Sequence, residues 1–220
     1  MEIASRRLRR VWSWATSQSQ ADARRREAGA LVGERIRTVR YFDLDHRRSE
    51  LHPELEGAGP RTVVDPSEWT DPNWLNDGFD AVDHGFEIVT HSGAVFSLTW
   101  DPPGHQEGIG LQPVPLLGSG VSVEADVAIW DVQERSPGWT SMAGTHVTGV
   151  DLHYVPWADR SGPPLWCPHV TIHGEHDRVD VIMGDSAGGV LVPSADDVAV
   201  LHPGTPLPRW AGHRVPSDVP

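Results

Sequence analysis

The alternation of apolar and polar residues between His84 and Trp100 constrains the fold more than any other feature of the sequence. The large apolar residues of this stretch stand at even-numbered positions, and most of the positions between them are polar. Successive side chains of a β-strand point to opposite faces, so a period of two predicts strands with one buried face. The apolar residues that define the pattern are Phe86, Ile88, Phe96, Leu98 and Trp100.

The parity of these positions also predicts the turn that joins the two strands. Directly opposed residues of a hairpin share a face, so even-numbered positions must pair with even-numbered ones. A two-residue Ser92-Gly93 loop would pair His91 with Ala94 and place the two apolar rows on opposite faces. A three-residue loop at 91–93 instead puts Gly93 where a left-handed backbone is needed. It predicts the pairs Thr90–Ala94, Ile88–Phe96 and Phe86–Leu98.

Similar short apolar runs continue along the chain, separated by turn signals. Strands are predicted over residues 34–43, 121–129, 150–154, 166–172, 179–183, 190–192 and 198–201, whereas the Pro-rich stretch 47–78 is interpreted as a long irregular connection. No alternation of strands with helices indicates a parallel sheet. The sequence therefore predicts a mainly β fold, an antiparallel β-sandwich or barrel of about eight strands, with an N-terminal Arg-rich helical segment.

Charge divides the chain into two predicted regions. All 18 basic residues are Arg; residues 1–48 carry 12 of them against 6 acids, and residues 49–220 carry the other 6 against 25 acids. Apolar residues in the first segment, among them Leu8, Val11 and Trp12, recur at helical spacing with Arg on the other face. We expect a basic amphipathic helical arm at 1–32, which binds protein, a membrane surface or nucleic acid, and an acidic β-rich globular domain at 33–220.

The same charge balance indicates the kind of partner. An acidic body repels nucleic-acid phosphates and anionic lipid, so nucleic acid is not its expected ligand. The expected partner is a basic protein, or a second copy of the chain through residues 1–32. The sequence has no apolar run of about 18 residues, which a transmembrane helix requires. The single Cys167 excludes an internal disulfide framework, and a cytoplasmic location is expected.

A row of histidines forms a candidate metal site in the sequence. His169 and His173 are about 13 Å apart along a strand, too far for both to bind one zinc ion. A neighbouring strand must therefore contribute, and His153 meeting His169 with Asp151 or Cys167 as third ligand is the arrangement to test. No cofactor is otherwise expected; the alternative is a divalent transition metal. A solvated polar face and a pair of His residues that titrate near neutral pH are the other interpretations.

A second motif suggests nucleophilic catalysis. Gly184-Asp-Ser-Ala-Gly-Gly189 resembles the nucleophile elbow of the α/β hydrolases, with Ser186 as the nucleophile, and His202 follows later in the chain. An elbow needs a helix after the serine. Here Val190-Leu-Val-Pro193 follows, whose β-branched residues and Pro oppose a helix. A glycine-rich β-turn is the better interpretation, and no catalytic or cofactor-binding residue is predicted.

These observations favour a non-enzymatic interaction domain with an acidic surface for a basic partner, of the accessory, assembly or toxin-neutralising type. The first alternative is a metal-dependent or carbohydrate-active enzyme that uses the His-rich sheet face or Trp-bearing loops. The second is a self-assembling structural subunit. Ten Trp residues are many for this length, and several stand in Pro- and Gly-rich connections. There they either cover the open ends of a sandwich or form a binding surface.

Overall fold

The computed structural model describes residues 15, 17–45, 47, 60–100, 108–116, 127–156, 165–194 and 197–209. The protein is mainly β, with several sheets and an N-terminal helix, α1 (Gln18–Ala28). A one-turn helix, α2, spans Pro137–Thr140. The strands are β1 (Ile36–Leu44), β2 (Arg61–Thr62), β3 (Leu75–Asn76), β4 (Phe79–Val82), β5 (Gly85–Thr90), β6 (Val95–Trp100), β7 (Ile109–Gln112), β8 (Val127–Asp131), β9 (Gly149–Leu152), β10 (Val155–Pro156), β11 (Leu165–Trp166), β12 (His169–His173), β13 (Arg178–Met183), β14 (Asp185–Ala187), β15 (Val190–Val192) and β16 (Val198–Leu201).

Two six-stranded sheets carry most of the structure. The first has the strand order β2-β8-β1-β5-β6-β7, and the second has the order β3-β4-β16-β13-β12-β9. All the strand pairs of both sheets are antiparallel except β2–β8. Apolar side chains from both sheets belong to one buried cluster, which includes Tyr41, Phe86, Val170 and Val181. Within the described residues neither sheet closes into a barrel.

The predicted hairpin is confirmed. β5 pairs with β6 in the register Phe86–Leu98 and Ile88–Phe96, and the Thr90 N–H donates to the Ala94 carbonyl at 2.9 Å. The loop therefore has three residues, and Gly93 has a φ of +88°. Parity decided this register because a shift of one residue would have moved a whole apolar row to the other face of the sheet.

Replacing Gly93 with alanine is expected to lower the free energy of unfolding by about 1 kcal/mol, because a Cβ disfavours the left-handed backbone by about that amount. A Cβ at this position would meet no atom within 4 Å, so only backbone strain contributes. Gly29→Ala is the matched control, since Gly29 is equally uncrowded and has a φ of −59°. Urea denaturation measures both variants; equal unfolding free energies for the two would contradict the expectation.

Helix α1 closes the side of the molecule where both sheets end. Ser17 caps it by accepting the N–H of Gln20, and Ala21 and Ala28 are fully buried. The helix lies against β7 of the first sheet and β9 of the second, and the Arg25 Nε donates to the carbonyl of Leu152 at 3.3 Å. This helical part of the predicted arm thus packs on its own chain. The apolar stripe at Leu8, Val11 and Trp12 lies outside the described residues.

The described residues form sixteen strands rather than the predicted eight or so, since β4 and β7, among others, were not predicted. Two predicted strands also differ in detail from the structure. The run 166–172 is interrupted between Trp166 and His169, where Pro168 provides no backbone N–H for a ladder. The strand predicted from 121 is described only from Val127, because residues 121–126 lie outside the described part. The stretch 47–78 is largely irregular where described, with only β2, β3 and a 3-10 turn at Glu68–Thr70. No helix within the described ranges has both the length and the apolar character needed to cross a bilayer.

Candidate functional site

A cleft of about 270 Å³ lies at the edge of the first sheet, where β1 ends and β2 joins β8. Its walls come from these three strands and from the loop that follows β2. Most of its lining is polar or charged, in contrast to the apolar core beside it. The lining residues are Leu44, Asp45, Arg47, Arg61, Ser67, Glu68, Asp71, Pro72, Asn73, Ala128 and Trp130.

Arg61 holds the walls of this cleft together. Its Nε and Nη2 donate to the two carboxylate oxygens of Asp45 at 2.7 and 2.8 Å, and its Nη1 donates to Glu68 Oε1 at 2.8 Å. Both carboxylates are buried, whereas the Arg61 side chain is 20% exposed. The hydrogen bonds to Asp45 are the largest cause that raises the pKa of Arg61 above its ordinary value. A paired, two-pronged arrangement of this kind fixes both groups in position.

The local sequence explains how these charges come together. Tyr41 and Asp43 are both buried residues of β1, and Asp45 follows them at the same period-two spacing just after the strand ends. The inward face of β1 therefore changes from aromatic to acidic along its length. β2 runs parallel to β8, with Arg61 opposite Ala128, and this pairing brings the guanidinium to the acidic end of β1.

Three tryptophans pack next to the cleft. Trp130 lies on β8 opposite Tyr41, and its ring meets those of Trp69 and Trp74 edge to face, with centroids 4.9 and 5.9 Å apart. The guanidinium of Arg135 covers the Trp69 ring at 4.1 Å from its centroid. Trp74, which the sequence placed in a Pro-rich connection, is fully buried. Here the tryptophans of the connections fill the end of the molecule rather than standing exposed in solvent.

Several polar groups of the cleft have no strong partner. Asp71 and Asn73 are exposed, and their side chains make no hydrogen bond or ion pair within the described residues. Arg47 is 58% exposed, and its Nε approaches Glu68 Oε2 only to 3.4 Å. The buried indole N–H of Trp130 has no acceptor among the described residues. The exposed side chains of Arg47, Asp71 and Asn73 thus offer both donors and acceptors to a ligand.

A pair of carboxyl groups lies next along β1. Asp43 is 3% exposed, and its Oδ1 accepts the backbone N–H of Asp83 at 3.4 Å, while Asp83 Oδ2 accepts the N–H of Leu44 at 3.1 Å. Burial, followed by the nearby charge of Asp83, raises the pKa of Asp43 well above its ordinary value. Two carboxylates this close cannot both ionise at low cost, so a shared proton is favoured on the buried Asp43.

Asp43→Asn is expected to stabilise the protein at neutral pH, because asparagine removes a carboxyl group whose charged form is disfavoured by burial and by the nearby charge of Asp83. The folded pKa of Asp43 lies above the unfolded value of about 3.9. The folded state therefore binds more protons between these two values, and the wild-type free energy of unfolding falls as the pH rises through this window. Asparagine carries no titratable proton and can still donate to Asp83, so it removes this loss.

Urea denaturation at several pH values from 4 to 8 measures the difference between the Asp43→Asn variant and the wild type. It should grow with pH and then level off. Asp77→Asn is the control, because Asp77 lies exposed in the turn between β3 and β4. A stability difference for Asp43→Asn that does not vary with pH would disprove the shared proton.

The predicted histidine pair does meet across strands. The rings of His153 and His169 stack with centroids 4.1 Å apart and planes 9° apart. His153 Nε2 lies 2.9 Å from Thr171 Oγ1, and His169 Nε2 lies 2.9 Å from Asp180 Oδ1. Desolvation, and then the proximity of His169, lowers the pKa of His153. Ring-nitrogen lone pairs lie in the ring planes, so two stacked imidazoles direct them nearly in parallel rather than at one ion.

The two other proposed ligands lie apart from this pair. Asp151 Oδ2 is 2.8 Å from His173 Nε2, and Cys167 is buried in the core cluster, where its Sγ donates to the His169 carbonyl at 3.3 Å. The interruption of the strand at Pro168 explains why Cys167 does not share the polar face with His169. Across the described ranges, no group of three or more His, Cys, Asp or Glu side chains is placed to hold a metal ion.

Ser186 lies in a β-hairpin, as the turn interpretation predicts. β14 and β15 are joined by Gly188 and Gly189, with φ of +61° and +82°, the backbone that a tight hairpin turn requires. The Ser186 hydroxyl donates to Asn76 Oδ1 at 2.8 Å. His202, which follows it in the chain, is bonded instead to the buried Asp80, at 2.8 Å between Nε2 and Oδ1.

Sequence reasoning did not find the cleft, because it interpreted 47–78 as a long irregular connection and could not tell which strands its charged residues would meet. One signal was present: Asp43 and Asp45 interrupt the apolar face of a strand that is otherwise inward-facing and apolar. Buried acids of this kind require a cation or a proton. Arg61 provides the cation for Asp45, and the raised pKa of Asp43 favours its protonated form. No protein-family model, curated protein or solved structure matches the chain.

Proposed function

We propose that this chain is a non-enzymatic, cytoplasmic protein-interaction domain, of the accessory, assembly or toxin-neutralising type, that binds a basic partner through the cleft. In this proposal the two large sheets form a β-sandwich that serves as the scaffold. Both sheets contribute to one apolar core, which supports that arrangement. The chain has a single cysteine, Cys167, and it is buried, which is compatible with a reducing compartment.

The excess of carboxylates around the cleft is the observation that carries the proposal. Asp45, Glu68 and Asp71 line it against Arg47 and Arg61, and the whole chain has a net charge of −13. The buried carboxylates are paired internally, which leaves the exposed charge of Asp71 directed to solvent. Opposite charge on a partner would accelerate encounter and select against acidic competitors.

Asp65 is a further exposed carboxylate, at the start of the loop that also carries Asp71. It is exposed and accepts the backbone N–H and the hydroxyl of Ser67 at 2.9 and 2.8 Å. These two hydrogen bonds hold the pKa of Asp65 below its ordinary value, so it is ionised throughout the neutral range. Asp65 and Asp71 together form an acidic rim, which we define as the exposed carboxylates of the loop from 65 to 71.

The proposal is tested with basic peptides as probes. Calorimetry is expected to detect binding of hexa-arginine or hexa-lysine, weakened by raising the NaCl concentration, and none of hexa-glutamate. Asp71→Asn should weaken binding about five-fold, since one charge-assisted contact contributes about 1 kcal/mol. Asp177→Asn is the matched control, because Asp177 lies exposed in the turn between β12 and β13, on the other sheet. Failure to bind either basic peptide would refute the proposal, as would equal weakening by the two variants.

A second copy of the chain is the alternative partner, through residues 1–32. The described part of this segment already packs on its own chain through α1, whereas the sequence from Arg6 to Arg10 carries four arginines. Sedimentation of the intact chain against a chain lacking residues 1–14 distinguishes the two partners. A change from oligomer to monomer would assign the basic partner to a second copy.

A further inference from the structure

We infer that the cleft recognises an arginine side chain within a peptide segment of the partner, in preference to lysine. This inference rests on the proposed function and names the chemistry of the group that the cleft receives. It is argued from three features of the cleft: the carboxylate geometry around Arg61, the weakly held Arg47, and the polar groups without partners beside them.

The carboxylates of the cleft already bind a guanidinium in the structure. Arg61 uses three of its nitrogens on Asp45 and Glu68, with every donor–acceptor distance between 2.7 and 2.8 Å. Carboxylates arranged in this way suit the planar, forked guanidinium of arginine, whereas the ammonium of lysine acts as a compact point charge. Arg135 stacked on Trp69 is a second guanidinium bound in this part of the molecule. The surroundings are therefore suited to the shape of this group and not only to its charge.

Arg47 marks the position that an incoming arginine would take. Glu68 Oε2, the oxygen that Arg61 does not use, faces the Arg47 Nε at 3.4 Å, a weak contact made by a side chain that is mostly exposed. Replacing this contact with a contact between Glu68 and a ligand costs little free energy, because exposed ion pairs contribute only about 0–1 kcal/mol. A partner guanidinium in this place would bond Glu68 Oε2 and reach the free carboxylate of Asp71.

The remaining groups suit the backbone that carries the arginine. Trp130 also lines the cleft, and its buried indole N–H has no acceptor among the described residues, although a buried donor of this kind ordinarily has one. Asn73, exposed beside it, can both donate to and accept from a peptide group. The cleft volume of about 270 Å³ equals that of about nine water molecules at about 30 Å³ each, room for a long side chain with part of its backbone.

The test compares two acetylated, amidated peptides of equal length and charge, Gly-Arg-Gly-Arg-Gly-Arg-Gly and its lysine counterpart. Calorimetry on the full chain is expected to give about five-fold or greater preference for the arginine peptide, because a forked guanidinium can make one more hydrogen bond than a point-like ammonium, and one hydrogen bond contributes about 1 kcal/mol. Arg47→Ala should strengthen binding of the arginine peptide more than of the lysine peptide, since it vacates Glu68 Oε2. Asp177→Asn should change neither affinity.

The outcomes separate the two proposals. Equal affinity for the arginine and lysine peptides, both sensitive to Asp71→Asn, would overturn the arginine inference and leave the basic partner in place. Absence of binding by both would refute the proposed function itself. Near-ultraviolet circular dichroism of each variant checks that its fold is intact, and the exposure of Arg47 and Asp71 makes loss of the fold an unexpected result.

Discussion

Replacing Asp80 with alanine is expected to lower the free energy of unfolding by about 3–5 kcal/mol, the cost of breaking a buried, charged hydrogen-bond network. Asp80 is fully buried on β4 and is bonded to three side chains from other parts of the chain. Tyr41 OH donates to its Oδ2 at 2.7 Å, Ser136 Oγ donates to the same oxygen, and His202 Nε2 lies 2.8 Å from Oδ1.

The large effect follows from what alanine would leave behind. Burial, and then the charge of Asp80, raises the pKa of Tyr41, so the phenol keeps its proton and donates it. Trp139 Nε1 donates in turn to the Tyr41 oxygen at 2.9 Å. Without the carboxylate, the hydroxyls of Tyr41 and Ser136 lose their acceptor in a place that water does not reach. Tyr41 lies on the first sheet and Asp80 on the second, so the network also links the two sheets.

Urea denaturation at pH 7 measures the effect, and two variants calibrate it. Asp77→Ala, in the exposed turn three residues earlier, is expected to change the free energy of unfolding by less than about 0.5 kcal/mol. Tyr41→Phe removes a single donor and should cost about 1–3 kcal/mol. A cost for Asp80→Ala no larger than that for Asp77→Ala would show that the network does not hold the sheets together.

Replacing Arg61 with alanine is expected to lower the free energy of unfolding by about 3 kcal/mol. The substitution leaves Asp45 and Glu68 buried without the cation that both now share. Removal of one partner of a buried ion pair costs about 3–5 kcal/mol, and we take the lower end because the Arg61 side chain is 20% exposed. The two-residue strand β2 should also lose its place beside β8.

The pH dependence distinguishes lost charge pairing from lost packing. In the Arg61→Ala variant, the buried carboxylates lack a cation, and burial should therefore raise their pKa values. Protonation at lower pH then removes the cost of burying their charges. The difference in unfolding free energy between variant and wild type should accordingly shrink as the pH falls from 7 to 4. Arg47→Ala is the control; its exposed contact with Glu68 should contribute at most about 1 kcal/mol. A penalty for Arg61→Ala that stays constant over this range would contradict the electrostatic explanation.

The sequence alone determined the mainly β character of the chain and the hairpin. Apolar parity over 86–100 predicted the register of β5 and β6 and the three-residue loop, because a strand that buries one face cannot slip by one residue without exposing its apolar row. The β-branched residues and Pro of the run 190–193 argued against a hydrolase elbow at Ser186, and in the structure Gly188 and Gly189 form the turn of a hairpin there. The alternation of a strand and the residues of a turn involve neighbours in the chain, so both can be predicted from a single sequence.

Only the tertiary structure decided which charges meet. Arg61 reaches Asp45 and Glu68 because β2 joins the edge of the first sheet, and Asp80 reaches Tyr41 because the sheets face one core. The sequence analysis expected His153 to meet His169, and their rings stack in the structure. It did not expect Cys167 to lie in the core, which follows from the interruption of the strand at Pro168. Pairings between residues distant in sequence depend on strand order, which no periodicity encodes, so the cleft became apparent only once the sheets were assembled.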